Sequence, residues 1–376
     1  MTTNNKKTIW FDFDNSPHVP VLLPIAKEMR NRGYKTFFTA RDVAQTVGLL
    51  ENAGEQHVVI DGIFPKSNIQ KYYHTFARAR HLKQVIKWVK PDCGISHCSR
   101  SGILAAWFMG IPNLTMYDYE YINNTIQNRY CSKVLIPEAV DDTAATEAGI
   151  NPDNLHRYPG LKEQLYLNDF QPDPGFNDKY QIPDNGKIIV TLRPPAENSH
   201  YHNSEVEQIL AALLDKLNKQ KSEIFLIITP RTEKQLHFFK DYLIQHQLDG
   251  FIPRRPLPGA DLIYHSDLLI TGGGTMVREA AVLGVPAYTI FKGQKGAVDR
   301  FLENAQRLIF IDTPSDVNKI HLSKRKKSHH YLNGADSQLT FVCNQIENLL
   351  SEKSMQKNNL HKKQQLSLET NILNNQ

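Results

Sequence analysis

The chain has 376 residues, too many for one hydrophobic core of ordinary size, so two domains are the natural organisation. Lys and Arg number 44 against 39 Asp and Glu, a net charge of +5 with histidine neutral, which does not demand a nucleic-acid partner. The four cysteines form no CxxC pair, and the chain carries neither an apolar signal core nor a run of membrane-spanning length; a soluble, cytoplasmic protein with reduced thiols is expected.

Strand-like and helix-like runs alternate from the start. Thr8–Phe13 reads as a buried strand, and Val19–Arg32 as an amphipathic helix with Val19, Leu22, Leu23, Ala26 and Met29 on one stripe. Pro20 suits a first helical turn, whereas Pro24 predicts a kink or a later start. Open parallel sheets bind ligands beyond the carboxyl ends of their strands, so the intervening loop, Asp12 to Pro20, is a candidate site. His18 stands there as a candidate general base near neutral pH, and Asn15 as a candidate substrate ligand. The plainer alternative makes His18 an N-terminal hydrogen-bonding residue, with Asp14 or Asn15 shaping the turn.

Further strands are predicted at Thr36–Thr39, Val58–Ile60, Cys93–His97, Asn113–Tyr117 and Val134–Ile136. After Cys93–His97 the segment SHCSRSG turns into a helix over Ile103–Met109, with Ser99 and Ser101 as caps and Arg100 facing a cleft. His97 and Cys98 have no second ligand cluster at suitable spacing, so no metal is expected. The next strand ends in Tyr117-Asp118-Tyr119-Glu120, followed by Asn123 and Asn124. Asp118 and Glu120 are therefore candidates for an acid/base or sugar-binding lip; a charged helix start would look the same. Asn151–Asn185 holds Pro152, Pro159, Pro172, Pro174 and Pro183 with little periodicity. The predicted organisation is a domain at 1–160, a connection at 161–186, a second domain at 187–353 and a disordered Asn/Gln/Lys/Ser-rich tail at 354–376.

Strand–helix alternation resumes with Ile188–Leu192, Ser204–Leu217, Ile224–Thr229, Glu233–Gln245, Asp267–Ile270, Met276–Leu283 and Ala287–Phe291. Arg193, ahead of Pro194-Pro195, is placed to clamp a diphosphate, and Arg231 repeats the arrangement one strand later; surface salt bridges are the alternative. Gly259-Ala260-Asp261 opens a short helix ending near His265, a position suited to a nucleobase edge. Lys292–Gly296 with Asp299 and Arg300 forms a polar loop fit for sugar or phosphate. The basic run Lys324–Lys327 with His329 and His330 reads as solvated surface, with peripheral contact to anionic lipid at the inner membrane face the lesser reading.

The strongest element is ITGGGTMVREAAVLGVPAYTIF, Ile270 to Phe291: strand, triple-glycine turn, helix, strand. Gly272, Gly273 and Gly274 let the backbone turn tightly and approach a ligand. Thr275 opens a helix whose free N–H groups and positive dipole end favour an anion, and Glu279 offers an acceptor to sugar hydroxyls one turn on. A nucleotide-diphosphate sugar suits all three features. Two consecutive βαβ domains with mostly parallel sheets follow from the whole pattern.

From about Ile9 to Ile311 the chain resembles the GT-B superfold, on DNSPHVPVLLPIAKEM, TARD, YDYE and GGTMVREAAVLGVPA. That class holds the N-acetylglucosaminyltransferase of peptidoglycan synthesis and UDP-N-acetylglucosamine 2-epimerase; more closely, the chain resembles domain of unknown function family 354. The resemblance implies an α/β fold of two Rossmann-like, doubly wound domains with an interdomain cleft. It also implies a histidine on the acceptor side at His18 and a ribose-binding glutamate at Glu279. Asn15-Ser16-Pro17 departs from the transferase's glycine-rich turn. The epimerase's arginine-rich motif is matched loosely by Arg193 to Asn198, and its acid after the fourth strand has no counterpart in SHCSRSG, although Asp118 or Glu120 stands near another epimerase acid. The expected function is a metal-independent glycosyltransferase, without cofactor, using a UDP-linked sugar on a glycan or lipid-linked acceptor in polysaccharide biosynthesis. The alternatives are a nucleotide-sugar 2-epimerase and a non-catalytic nucleotide-sugar-binding module.

Overall fold

The computed structural model describes residues 6–62, 67–195, 204–327 and 337–352. The chain forms two compact units, one running to Leu165 and resuming at Gly334, the other spanning Tyr166–Asn333. The tail at 354–376, His329, His330 and residues 196–198 lie outside the described residues. Among those described, no helix is long and apolar enough to cross a membrane.

Unit 1 is built on a seven-stranded sheet: β1 Thr8–Phe13, β2 Lys35–Ala40, β3 Val58–Val59, β4 Cys93–His97, β5 Asn113–Met116, β6 Lys133–Pro137 and β7 Leu155–Tyr158. Their order is β3-β2-β1-β4-β5-β6-β7, and every pairing is parallel. The connecting helices are α1 His18–Asn31, α2 Thr46–Asn52, α3 Asn68–Val89, α4 Arg100–Phe108, α5 Thr125–Tyr130 and α6 Asp142–Glu147. A sheet covered on both faces needs strands that are apolar throughout, and TIWFDF is so except at Thr8, which opens it, and Asp12. Trp10 packs among Ala79, Leu82 and Ile86 of α3 and Leu104–Ala106 of α4. Asp12, two residues on, shares that face. Helix α1 begins at His18 and contains Pro24, so the later start predicted from that proline does not occur.

A short helix, α7 Gln164–Leu167, and α8 Phe176–Lys179 precede the six-stranded sheet of unit 2. Its strands are β8 Ile188–Arg193, β9 Ile224–Ile228, β10 Gly250–Phe251, β11 Leu268–Thr271, β12 Ala287–Thr289 and β13 Ile309–Phe310. The order is β10-β9-β8-β11-β12-β13, again parallel throughout. Helices α9 Ser204–Lys219, α10 Glu233–His246, α11 Gly259–His265, α12 Thr275–Val282 and α13 Ala297–Asn304 flank it.

Two segments differ from the predicted organisation. The proline-rich stretch is not a bare connection: Phe176 and Ile182 are buried against Ile189, Ile227 and Leu262, which makes this stretch part of the core of unit 2. The last described helix, α14 (337–352), joins unit 1 rather than the second domain to which 187–353 assigns it. It buries Val342, Cys343, Ile346, Leu349 and Leu350. Arg32 holds Asn344 and Glu347 at 2.8 Å, Lys7 donates to Leu350 O at 3.1 Å and Gln338 donates to Leu161 O at 2.5 Å.

Candidate functional site

In unit 2 the winding of the chain reverses between the adjacent strands β8 and β11, and crevices beyond such switch points are where open α/β sheets take ligands. Two loops meet there. The Gly272 N–H donates to Arg193 O at 3.1 Å, and a Cβ on Gly272 would lie 2.4 Å from Pro195 Cα, so only glycine permits this approach. Gly273 and Gly274 then take φ values of +97° and +96° and turn the chain into α12. Gly274 supplies no side-chain cap, which leaves the first-turn N–H groups of Thr275 and its successors for an anion.

Cations and an acceptor surround this turn. Burial lowers the pKa of Arg193, with the Glu279 charge acting in the opposite sense. Arg231 donates its Nε to Pro194 O at 3.2 Å; loss of hydration and the charge of Arg193 bring it down to about 10. Two guanidinium groups that repel one another gain from a dianion placed against both. Glu279 accepts from Tyr166 Oη at 2.7 Å, which orients its carboxylate on α12. Sequence reading misses Tyr166, because no local pattern links it to Glu279.

In unit 1 the reversal falls between β1 and β4, and the crevice is bounded by side chains instead of glycines. Arg78 of α3 donates to Asp12 at 2.7 and 2.9 Å, to Ser101 at 2.7 Å and to Ile60 O at 3.1 Å; Ser99 and Thr39 also donate to Asp12, at 2.5 and 2.6 Å. Burial alone would raise the pKa of Asp12, but the charge and hydrogen bonds of Arg78 outweigh it and the carboxylate is held below its ordinary range. Ser99 caps α4 by accepting from the Gly102 N–H, whereas Ser101, expected as a second cap, serves Arg78.

His18 opens α1 with its ring 4.9 Å from that of His97. Asp118 lies 3.9 Å from His97 Nε2 and 2.5 Å from Lys162 Nζ, which also reaches Glu163 at 2.6 Å. Burial, then the charges of His97 and Lys162, push the His18 imidazole well below its usual range, against the pull of Asp118. His18 is therefore neutral at pH 7, with Nδ1 lacking a hydrogen-bond partner among the described residues. Lys162 and Glu163 carry no signal in sequence; they lie in the proline-rich stretch read as a connection.

Other candidates take structural parts. The Asn15 carboxamide oxygen accepts from the Ser16 N–H at 2.9 Å and closes the turn before α1, the plainer of the two readings. Asp118 is neutralised by Lys162 and is thus a poor base, and Glu120 is buried, its backbone carbonyl accepting from Asn124 Nδ2 at 3.3 Å. Asp299, expected to hold sugar, is buried against Arg278 at 2.8 Å, and Arg300 donates to Lys295 O at 2.5 Å. Lys292 and Lys295 pair with Glu205 and Glu303. His265 donates to Asp173 O at 2.9 Å and stacks on Phe176, while Asp261 accepts from the Asp173 N–H; both pin the segment before β8 and neither is open to a base.

Solved structures share this architecture. The S. aureus MnaA–UDP structure matches with a TM-score of 0.70 over 92% of this chain and 97% of that one, at 17% identity. The Methanocaldococcus jannaschii UDP-GlcNAc 2-epimerase in complex with UDP-GlcNAc and UDP gives 0.68 over 92% and 99%, at 12% identity, and a Rickettsia africae glycosyltransferase gives 0.52 over 92% and 90%, at 15%. The fold is thus of the GT-B-like kind seen in nucleotide-sugar enzymes. An uncharacterized protein of M. jannaschii is 26% identical over 351 residues, 90% of this chain and 98% of its own length. With residues 7–350 matched by its model, the chain belongs to the family described as protein of unknown function DUF354.

Proposed function

We propose that the protein is a metal-independent glycosyltransferase that takes a UDP-linked sugar on unit 2 and an acceptor on unit 1. The observation that carries this reading is the β8–β11 switch point, where the uncapped start of α12 and two mutually repelling arginines meet at a turn that only glycine can make. As the bond from sugar C1 to the diphosphate oxygen breaks, its electron pair leaves with the nucleoside diphosphate. Arg193, Arg231 and the N–H groups after Gly274 stabilise that charge. Glu279, oriented by Tyr166, accepts from the ribose hydroxyls. The acceptor oxygen forms the new bond to C1 and gives its proton to His18, which is neutral at pH 7 and whose imidazolium form the Asp118 charge favours.

A 2-epimerase is the second reading, favoured by Asp118 beside His97. It is the weaker one because Lys162 neutralises that carboxylate and SHCSRSG supplies no other. Proton NMR with UDP-sugars in heavy water, without acceptor, separates the two. Slow release of UDP with C2 still protonated is expected; deuterium appearing at C2 would make the protein an epimerase.

A further inference from the structure

Beside the Asp12–Arg78 pair, unit 1 contains a polar cavity of about 80 Å³ lined by Asp14, Arg41, Lys71, His74, Arg78 and Arg100, among others. Its cations come from separate elements: Arg41 follows β2, Lys71 and Arg78 lie on α3, and Arg100 opens α4. Arg78 is matched by Asp12 and Asp14, and Arg41 stands 3.7 Å from Asp14 and 4.0 Å from Asp61. Lys71 and Arg100 have no side-chain hydrogen bond or ion pair among the described residues, and Arg100 meets the Asp14 charge only at longer range, so the lining sets four cations against the single carboxylate of Asp14.

We infer that this cavity binds a phosphoryl group, and, resting on the transferase reading, that the acceptor is a phosphate ester. The space holds several waters and so admits one phosphoryl group. Cations on three elements address a tetrahedral group with several peripheral oxygens; a planar carboxylate would be served by one arginine fork. The first turn of α4 adds its dipole. Asp14 Oδ1 accepts no hydrogen bond, so an oxygen of the bound group that still carries a proton finds an acceptor there.

Full-length protein is titrated with α-glucose 1-phosphate, with farnesyl monophosphate in detergent and, separately, with UDP, following ³¹P line widths and heats of binding. Lys71→Gln and Arg100→Gln are each expected to weaken phosphate binding about tenfold while leaving UDP binding unchanged, and Arg193→Gln to do the reverse. Preference for the farnesyl ester would mark a lipid source, and preference for the sugar phosphate a soluble one. Phosphate binding that is absent, or that survives both unit 1 variants and disappears in Arg193→Gln, overturns the inference and leaves the transferase reading intact. Phosphate binding that needs Lys71 and Arg100 in a protein that ignores UDP would sustain the phosphoryl site but sink the transferase, and with it the acceptor role.

Discussion

The two switch points solve the same topological problem with different materials. In unit 2 the crevice is made of backbone: three glycines, an uncapped helix start and two arginines at the rim. In unit 1 it is made of buried side chains that hold one another, with Asp12 and Arg78 at the centre and His18, His97, Asp118 and Lys162 beside them. A backbone cradle is insensitive to pH and intolerant of any Cβ. A side-chain network tolerates changes of shape but depends on charge balance.

The largest effect that would expose this difference is Asp12→Asn. It leaves Arg78 charged and without its bidentate partner in a buried position, so a loss of about 3–5 kcal/mol in denaturant unfolding is expected, with UDP binding by the surviving folded fraction unchanged. Replacing both partners, Asp12→Asn with Arg78→Met, should recover part of that loss. A single variant as stable as the parent would mean that the pair is not held by charge.

Gly272→Ala comes next. Its Cβ would meet the Pro195 backbone, which cannot swing aside as a flexible side chain can. A destabilisation of about 3 kcal/mol and loss of UDP binding are expected from thermal melts and titration, with the His18 cluster undisturbed by NMR. Arg193→Gln should leave stability alone and weaken UDP binding by about 1.4 kcal/mol; normal affinity would remove the clamp from the account.

The smallest effect is one of pH. The native pKa of His18 lies below that of the unfolded chain, near 6.5, so the unfolded state takes up the proton first. The stability is intact above about pH 6.5 and falls below it, by up to about 1.4 kcal/mol per pH unit until the native value is passed. Asp12, also depressed, loses its contribution only at far lower pH, as it is protonated. His18→Gln should flatten the slope just below pH 6.5 in urea melts; an unaltered slope would assign it to other groups.

Sequence reading recovers elements whose cause is local. Thr8–Phe13 and Cys93–His97 are legible as apolar runs bounded by polar loops, and the helix after Gly274 from its glycines and the stripe that follows. It fails where the cause is distant. Arg78 sits in a long helix with nothing nearby to mark it, and its partner lies 66 residues away. Lys162 is hidden among prolines. The helix that carries Val342, Ile346 and Leu349 goes unread, since nothing local says which sheet it covers. For Asp299 the residue type is right for a sugar ligand, yet Arg278, one helix back, claims it first.

The placement of α14 also has a consequence in time. Unit 1 is coded in two pieces with all of residues 166–333 between them. At roughly 5–20 residues per second, a ribosome takes about 10–30 s to pass that interval. Through those seconds the nascent first unit waits with the seat for Val342, Ile346 and Leu349 uncovered and with Arg32 lacking Glu347. A helix synthesised only after the whole second unit is thus the one that covers the first, and a message cut short anywhere in the second unit releases a chain with its first core open.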